Sequence, residues 1–289
     1  MPRAAFHVCH FMPPGRTFHG LAGYREHADA LVWGLQALGH HAEYGLNTIN
    51  PEATNIAMGL QMLGEAQLDA LPPGTVYYNL EQMARRAVED VKPVLRAAAR
   101  RFPIWDYCEA NLESWRALGA RSAEYVKIGW APVLERVPKP REQDIEVLLY
   151  GLPGGERLPL FQALCEAGIR TVFACGLYGA ERDALIARAK IVVNASLYTE
   201  SRIFEIARVS YLLANAKAVL SVLHPDTLVE PDIRDAVMFS PAEGVVRECL
   251  ALIDDDARRG ALEEKGRRVM RARNMSEILR SPVAKLPQA

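Results

Sequence analysis

The chain has 289 residues, half of them apolar, and 34 Lys and Arg stand against 35 Asp and Glu. That length accommodates two α/β domains, since one domain usually takes roughly 100–200 residues. The near-neutral balance argues against a polyanion-binding surface, so no nucleic-acid partner is expected, and without a run of about eighteen apolar residues no transmembrane segment is expected either.

Short apolar β-type runs alternate with helical patterns along the chain, as in βαβ units with mainly parallel sheets. The first run, 4–10, reads as a strand. It is too short and too soon broken by histidines for a signal peptide, so a cytoplasmic protein is expected. His7 and His10, three apart on a strand, point to opposite faces and are not a ligand pair. Further strands are expected at 41–44, 75–78, 104–107 and 124–128, and helices at 23–38, 84–100 and 112–118; 53–63 is ambiguous. Three prolines, Pro132, Pro138 and Pro140, then break the periodicity beside a cluster of charges. The reading is a first domain over 1–130, a linker over 131–143, a second domain over 144–273, and a terminal segment, 274–289, that packs back on the first. In the second domain strands are expected at 145–150, 170–174, 190–194 and 218–221. Helices are expected at 158–167, 179–187, 201–214, 244–254 and 257–273, with a loose or packed-back tail from Pro282.

The five cysteines, Cys9, Cys108, Cys165, Cys175 and Cys249, are odd in number and contain no C-x-x-C. They read as reduced, mostly buried small hydrophobes rather than disulfide or zinc partners.

In open parallel sheets ligands bind outside the carboxyl ends of strands, so the loops after Tyr150, Ala174, Asn194 and Ser221 are the candidate region. Gly151, Gly154 and Gly155 follow a strand and open a helix, where backbone N–H groups and the helix dipole can meet a phosphate. They match neither G-x-G-x-x-G nor the Walker pattern, and a plain strand-to-helix turn also prefers glycine. Arg157 is either the countercharge to a diphosphate or a surface arginine. Glu205 and Arg208, three apart, are at the least an i,i+3 ion pair; on a helix so apolar, charged groups need a partner or a purpose.

At this point the chain resembles GT-B glycosyltransferases, in particular the short bacterial group related to spore-maturation-type glycosyltransferases. The resemblance rests on Asp144-Ile-Glu-Val-Leu-Leu-Tyr-Gly151 with Arg157, Gly176-Leu-Tyr-Gly-Ala-Glu-Arg-Asp183, and Tyr198-Thr-Glu-Ser-Arg-Ile-Phe-Glu-Ile-Ala-Arg208 with Leu212-Leu-Ala-Asn-Ala-Lys-Ala-Val-Leu-Ser221. Looser matches in the first half are Ala53–Gly59, Tyr77–Gln82, Trp105–Tyr107 with Asn111, and Lys127–Gly129. It implies two Rossmann-like α/β domains with parallel sheets facing across a cleft, and glycosyl transfer from a nucleoside diphosphate sugar. The implied donor site comprises Gly151, Gly154, Arg157, Gly176, Tyr178, Thr199, Ser201, Arg202 and Glu205. Glu205 would hold the ribose hydroxyls, its two oxygens accepting both protons. Many retaining members carry a second glutamate eight positions earlier; here that position is Leu197, and Glu200 is the available substitute.

On the acceptor side His19 is the candidate general base, with Glu81 and Asp106 as competitors at strand ends. No cofactor or metal is expected, because positive groups and helix dipoles serve the leaving diphosphate in such enzymes. The acceptor itself, whether glycan, lipid, small molecule or protein, is open. The alternatives are a non-catalytic nucleotide-sugar-binding partner protein and a GT-B-type epimerase or hydrolase. A dehydrogenase is disfavoured by the missing dinucleotide fingerprint.

Overall fold

The computed structural model describes residues 4–13, 20–84, 87–138, 140, 142–197 and 203–286. The chain divides into two units, one made of residues 1–133 with 273–289 and the other of residues 134–272.

Unit 1 contains strands β1 (Ala5–His10), β2 (His41–Leu46), β3 (Thr54–Met58), β4 (Val76–Asn79), β5 (Ile104–Asp106) and β6 (Ala123–Tyr125), with helices α1 (Arg25–Ala37), α2 (Glu65–Asp69), α3 (Pro93–Arg101) and α4 (Asn111–Ala117). The strands pair in parallel in the order β2-β1-β3-β4-β5-β6. Every residue of β4 is buried, as expected of a parallel strand covered on both faces. One core layer packs Tyr77, Trp115, Phe102, Leu60 and Leu95 together.

Unit 2 contains β7 (Ile145–Tyr150), α5 (Arg157–Glu166), β8 (Thr171–Ala174), α6 (Gly179–Arg188), β9 (Ala189–Asn194), α7 (Ile206–Ala214), β10 (Ala218–Val222), α8 (Pro231–Arg234), β11 (Met238–Ser240), α9 (Val245–Ile253) and α10 (Asp256–Ala272). Its parallel order is β11-β10-β9-β7-β8. The strand direction of travel therefore reverses between β7 and β9, the point at which an open doubly wound sheet leaves a crevice at its carboxyl edge. The chain then returns to unit 1, where α11 (Met275–Ala284) packs on α1. Gly34 makes that approach possible, since a Cβ there would lie 2.9 Å from Leu279 Cδ1. Among the described residues no helix is long and apolar enough to cross a membrane.

Several sequence expectations are corrected. The helix expected over 84–100 begins at Pro93, because Met83 and Ala84 give their N–H groups to Asn111 Oδ1 at 2.9 and 2.8 Å and proline disfavours helical geometry at Lys92 before it. The ambiguous 53–63 is strand β3 followed by a 3₁₀ turn. The segment from Pro282 belongs in part to α11, which carries that proline in its last turn. A strand that the sequence reading did not expect, β11, adds an edge beside β10. Only Cys9 and Cys249 are buried; Cys165 and Cys175 are exposed.

Candidate functional site

The reversal point of unit 2 is occupied by charge. Arg157, the first residue of α5, is 2% exposed. Its Nε donates to the Ala195 carbonyl just past β9 at 2.8 Å, and Nη1 donates to the Leu152 carbonyl just past β7 at 3.0 Å. One side chain thus ties together the two loops that flank the crevice. Its Nη2 donates to both carboxylate oxygens of Glu205, at 3.0 and 3.2 Å. The alternative of a surface arginine is excluded by that burial. Desolvation, and then the neighbouring Arg208, lower its pKa from the usual arginine range.

Arg208, in the first turn of α7, donates through Nη1 to the Tyr150 carbonyl at 2.8 Å and approaches Glu205 to 3.8 Å. Two guanidiniums and one carboxylate leave a net positive charge at the carboxyl end of β7. Arg208 keeps a partly exposed side chain while Arg157 is enclosed, so Arg208 is the group that can meet an incoming anion. Gly151, at φ +121, sits directly against both: a Cβ there would lie 3.0 Å from Arg157 Nη1 and 3.1 Å from both terminal nitrogens of Arg208.

Glu205 is the N-cap of α7. The expected start of this helix at Ser201 is corrected to Ile206, since Ile203 forms a parallel bridge to Leu228, Phe204 N–H donates to the Leu228 carbonyl at 2.9 Å, and the Phe204 ring packs on Phe239. That extended segment turns the Glu205 carboxylate toward Arg157 instead of toward its own helix. Thr199, Glu200, Ser201 and Arg202 lie outside the described residues, as does His19.

Gly154 and Gly155 lie against the loop after β9. Gly155 has φ +52, and a Cβ there would collide with the Leu197 carbonyl oxygen and come within 2.9 Å of the Ser196 carbonyl. A Cβ at Gly154 would meet the Leu197 side chain at 3.3 Å. These glycines let the loops after β7 and β9 close on one another. Gly176 and Tyr178 follow β8, the strand beside β7.

Sequence reasoning missed two features of this edge. Glu156 and His224, after β7 and β10, pair at 2.9 Å across the end of β9. Asn194, which ends β9 and is 3% exposed, donates to Ser221 Oγ at 3.1 Å, while its side-chain Oδ1 has no partner among the described residues. An asparagine closing the apolar run Ile191-Val-Val was the one local signal; nothing local joins Glu156 to His224.

In unit 1 the two acidic competitors separate. Asp106 is fully buried and accepts from Asn79 Nδ2 (2.7 Å), Asn111 Nδ2 (2.9 Å), Trp115 Nε1 (2.6 Å) and Cys108 N–H (2.8 Å). Burial pushes its carboxyl up to about 7 against those bonds. With both oxygens enclosed it is a structural knot, which corrects the expectation that it competes as a base. Glu81 is half-buried, and its Oε1 accepts from Tyr24 Oη and Gln61 Nε2, each at 2.7 Å.

No protein-family model matches the chain, and no curated protein matches it. Solved structures do. The chain is similar to Anabaena Alr3699/HepE in complex with UDP and glucose at 11% identity, over 96% of this chain and 99% of that one, with a TM-score of 0.65. It is similar to AviGT4, a glycosyltransferase involved in avilamycin A biosynthesis, at 15% identity over 98% of both chains, with a TM-score of 0.61. An α-glucosyltransferase in complex with UDP and a 13-mer DNA is similar at 12% identity over 97% of this chain and 98% of that one, with a TM-score of 0.62. At these identities the likeness shows the fold, which is GT-B: two α/β units, each built on a parallel sheet.

Proposed function

We propose, from the GT-B fold, that this chain is a glycosyltransferase that takes a sugar from a nucleoside diphosphate sugar. The observation that carries the reading is the Arg157–Glu205–Arg208 group at the reversal point of unit 2. Glu205 has one strong donor, Arg157 Nη2, shared between its two oxygens, so each oxygen keeps a lone pair for a ribose hydroxyl. Arg157 is a positioning residue for that carboxylate. Arg208 supplies the positive charge for the diphosphate, both on binding and as the leaving group gains charge. In this reading the arginine and the amino end of α7 serve the diphosphate, and no metal is required. That similar structures hold UDP supports a nucleotide as ligand. With a net charge of −1, nucleic acid is not the proposed acceptor.

Calorimetric titration with UDP, GDP, ADP and TDP, with and without magnesium or chelator, tests the reading. One nucleotide is expected to bind regardless of metal, and Glu205→Ala is expected to weaken it at least about tenfold, the loss of roughly one charge-assisted hydrogen-bond set. Arg208→Ala should weaken the diphosphate while leaving the free nucleoside unaffected. Unchanged affinity in a folded Glu205→Ala chain would remove the ribose assignment. Products from the sugar nucleotide without added acceptor then separate the alternatives: an epimerase changes the sugar, a hydrolase releases it and a binding protein leaves it intact.

A further inference from the structure

β2 is an edge strand of the unit 1 sheet, and its parallel register with β1 and β3 sets three polar side chains in one row, Glu43 opposite His7 and His7 opposite Asn55. Register alone therefore puts a carboxylate beside an imidazole. His7 is 6% exposed, and its Nδ1 lies 3.1 Å from Glu43 Oε1. The other ring nitrogen, Nε2, lies 3.1 Å from the hydroxyl of Thr48, an exposed residue in the loop after β2. Hydroxyl, imidazole and carboxylate each stand within hydrogen-bond reach of the next, the arrangement that makes a nucleophile of a weak hydroxyl. The ring is enclosed while both its partners reach the surface, so a reagent can meet the hydroxyl and the base behind it stays shielded.

The partners assign the tautomer. Hydrogen bonds from Asn50 Nδ2, at 3.3 Å, and from His7 hold the Glu43 carboxyl below the ordinary carboxylate range. Glu43 is therefore charged and accepts, and a neutral His7 carries its proton on Nδ1 and offers Nε2 to the Thr48 hydroxyl. Three features of the chain serve this contact. Asn50 is placed by the enclosed Asn55, which donates to the Asn50 carbonyl at 2.8 Å and accepts from its N–H at 2.9 Å. Gly45 interrupts β2, where the lack of a side chain weakens a strand; a Cβ there would collide with Thr48 Oγ1 and lie 2.5 Å from His7 Nε2. Asn47 then takes a left-handed φ of +54, held by its own N–H on the His10 carbonyl at 2.9 Å and by the Met12 N–H on its Oδ1 at 2.7 Å.

We infer that Thr48, His7 and Glu43 act as nucleophile, base and orienting carboxylate toward a small neutral carboxylic ester, an activity of unit 1 separate from sugar transfer. Leu46 and Ile49, on either side of Thr48 in the chain, are both exposed and suit a short apolar acyl group, while the charge of Glu43 disfavours an anionic one. Thr48 Oγ bonds to the ester carbonyl carbon as its proton passes to His7 Nε2. The bond from that carbon to the alkoxide oxygen breaks, and the alkoxide leaves with the electron pair and takes the proton from His7. Water then bonds to the carbonyl carbon of the acyl-Thr48 and gives its proton to His7 Nε2. That proton passes on to Thr48 Oγ as the acyl bond breaks, and the carboxylic acid is released.

The test is release of p-nitrophenol from p-nitrophenyl acetate and p-nitrophenyl butyrate by the full chain, with peptide mass spectrometry after an acid quench to locate the acyl group. Wild type is expected to release p-nitrophenol faster than solvent does and to carry the acyl group on Thr48. Thr48→Val, which keeps the shape and removes the hydroxyl, should abolish both, and Thr48→Ser should restore the adduct at residue 48. His7→Gln should slow release at least about a hundredfold, and Glu43→Gln, which keeps a hydrogen bond but not the charge, at least about tenfold. Release no faster than in solvent, or release at the wild-type rate in any of Thr48→Val, His7→Gln and Glu43→Gln, overturns the assignment. So does an acyl group found on a lysine or on the exposed Cys165 or Cys175 in place of Thr48. Thr48 is exposed, so Thr48→Val decides the matter even where the change at the buried His7 unfolds unit 1.

Discussion

Arg157 shows how one residue can shape a site without presenting itself to a ligand. Its nitrogens reach a carbonyl on each side of the crevice and both oxygens of Glu205, a fork that the point charge of a lysine cannot reproduce. Breaking such an enclosed pair by removing one partner usually costs about 3–5 kcal/mol. Asp106 plays the corresponding part in unit 1, with a measurable signature. Its folded pKa of about 7 lies above the ordinary 3.8. Between those values the unfolded chain has lost the proton that the folded chain keeps, so this group's contribution to stability falls as pH rises from about 4 to about 7. Denaturant unfolding of wild type and Asp106→Asn across that window should show the wild-type advantage shrinking with pH, by on the order of 1 kcal/mol per unit. A difference that stays flat would show that the carboxyl does not titrate there.

At the scale of elements, the loop after β7 gives the sharpest prediction. Gly155→Ala meets two penalties, a left-handed φ of +52 and a collision with the Leu197 carbonyl. Gly168→Ala, at φ +78 with open space around it, meets only the first, about 1 kcal/mol. Thermal melts should therefore place Gly155→Ala well below Gly168→Ala, and nucleotide affinity should fall only in the former. Equal melting points would mean the two loops do not need their close approach. The alternation of strands and helices was legible because buried parallel strands such as Ile145-Glu-Val-Leu-Leu-Tyr150 are short apolar runs between helical periods. The start of α7 was not, because Ile203 and Phe204 read as helix-compatible apolar residues until Leu228 and Phe239, distant in sequence, claim them. The site was legible in part. Gly151 and Arg157 were marked by their place after a strand and Glu205 by its charge on an apolar helix, all three also by resemblance, but the bond between Arg157 and Glu205 spans 48 residues and leaves no local trace. Nor could sequence divide the labour between Asp106 and Glu81, which differ only in how many donors surround them.

For the whole molecule, each unit has its own sheet and its own buried layer. A ligand that binds only unit 2 should stabilise only unit 2. At a nucleotide concentration of 100 Kd the gain is about 2.7 kcal/mol. Scanning calorimetry should resolve two transitions, of which nucleotide raises one, and Glu205→Ala should abolish that rise. Two transitions that rise together, or one alone, would mean that the units unfold as one.

The return of α11 to α1 also sets an order of events during synthesis. Residues 134–272 form one continuous stretch, whereas unit 1 needs residues on both sides of it. A ribosome adding roughly 5–20 residues per second would expose α1, with the surface around Gly34 uncovered, for roughly ten to fifty seconds before Leu279 arrives to cover it. At the end of that interval the later-made unit can be complete while the earlier-made one still waits. A nascent chain halted between Ala272 and Met275 would carry a finished unit 2 and an open, adhesive helix face for chaperones to shield.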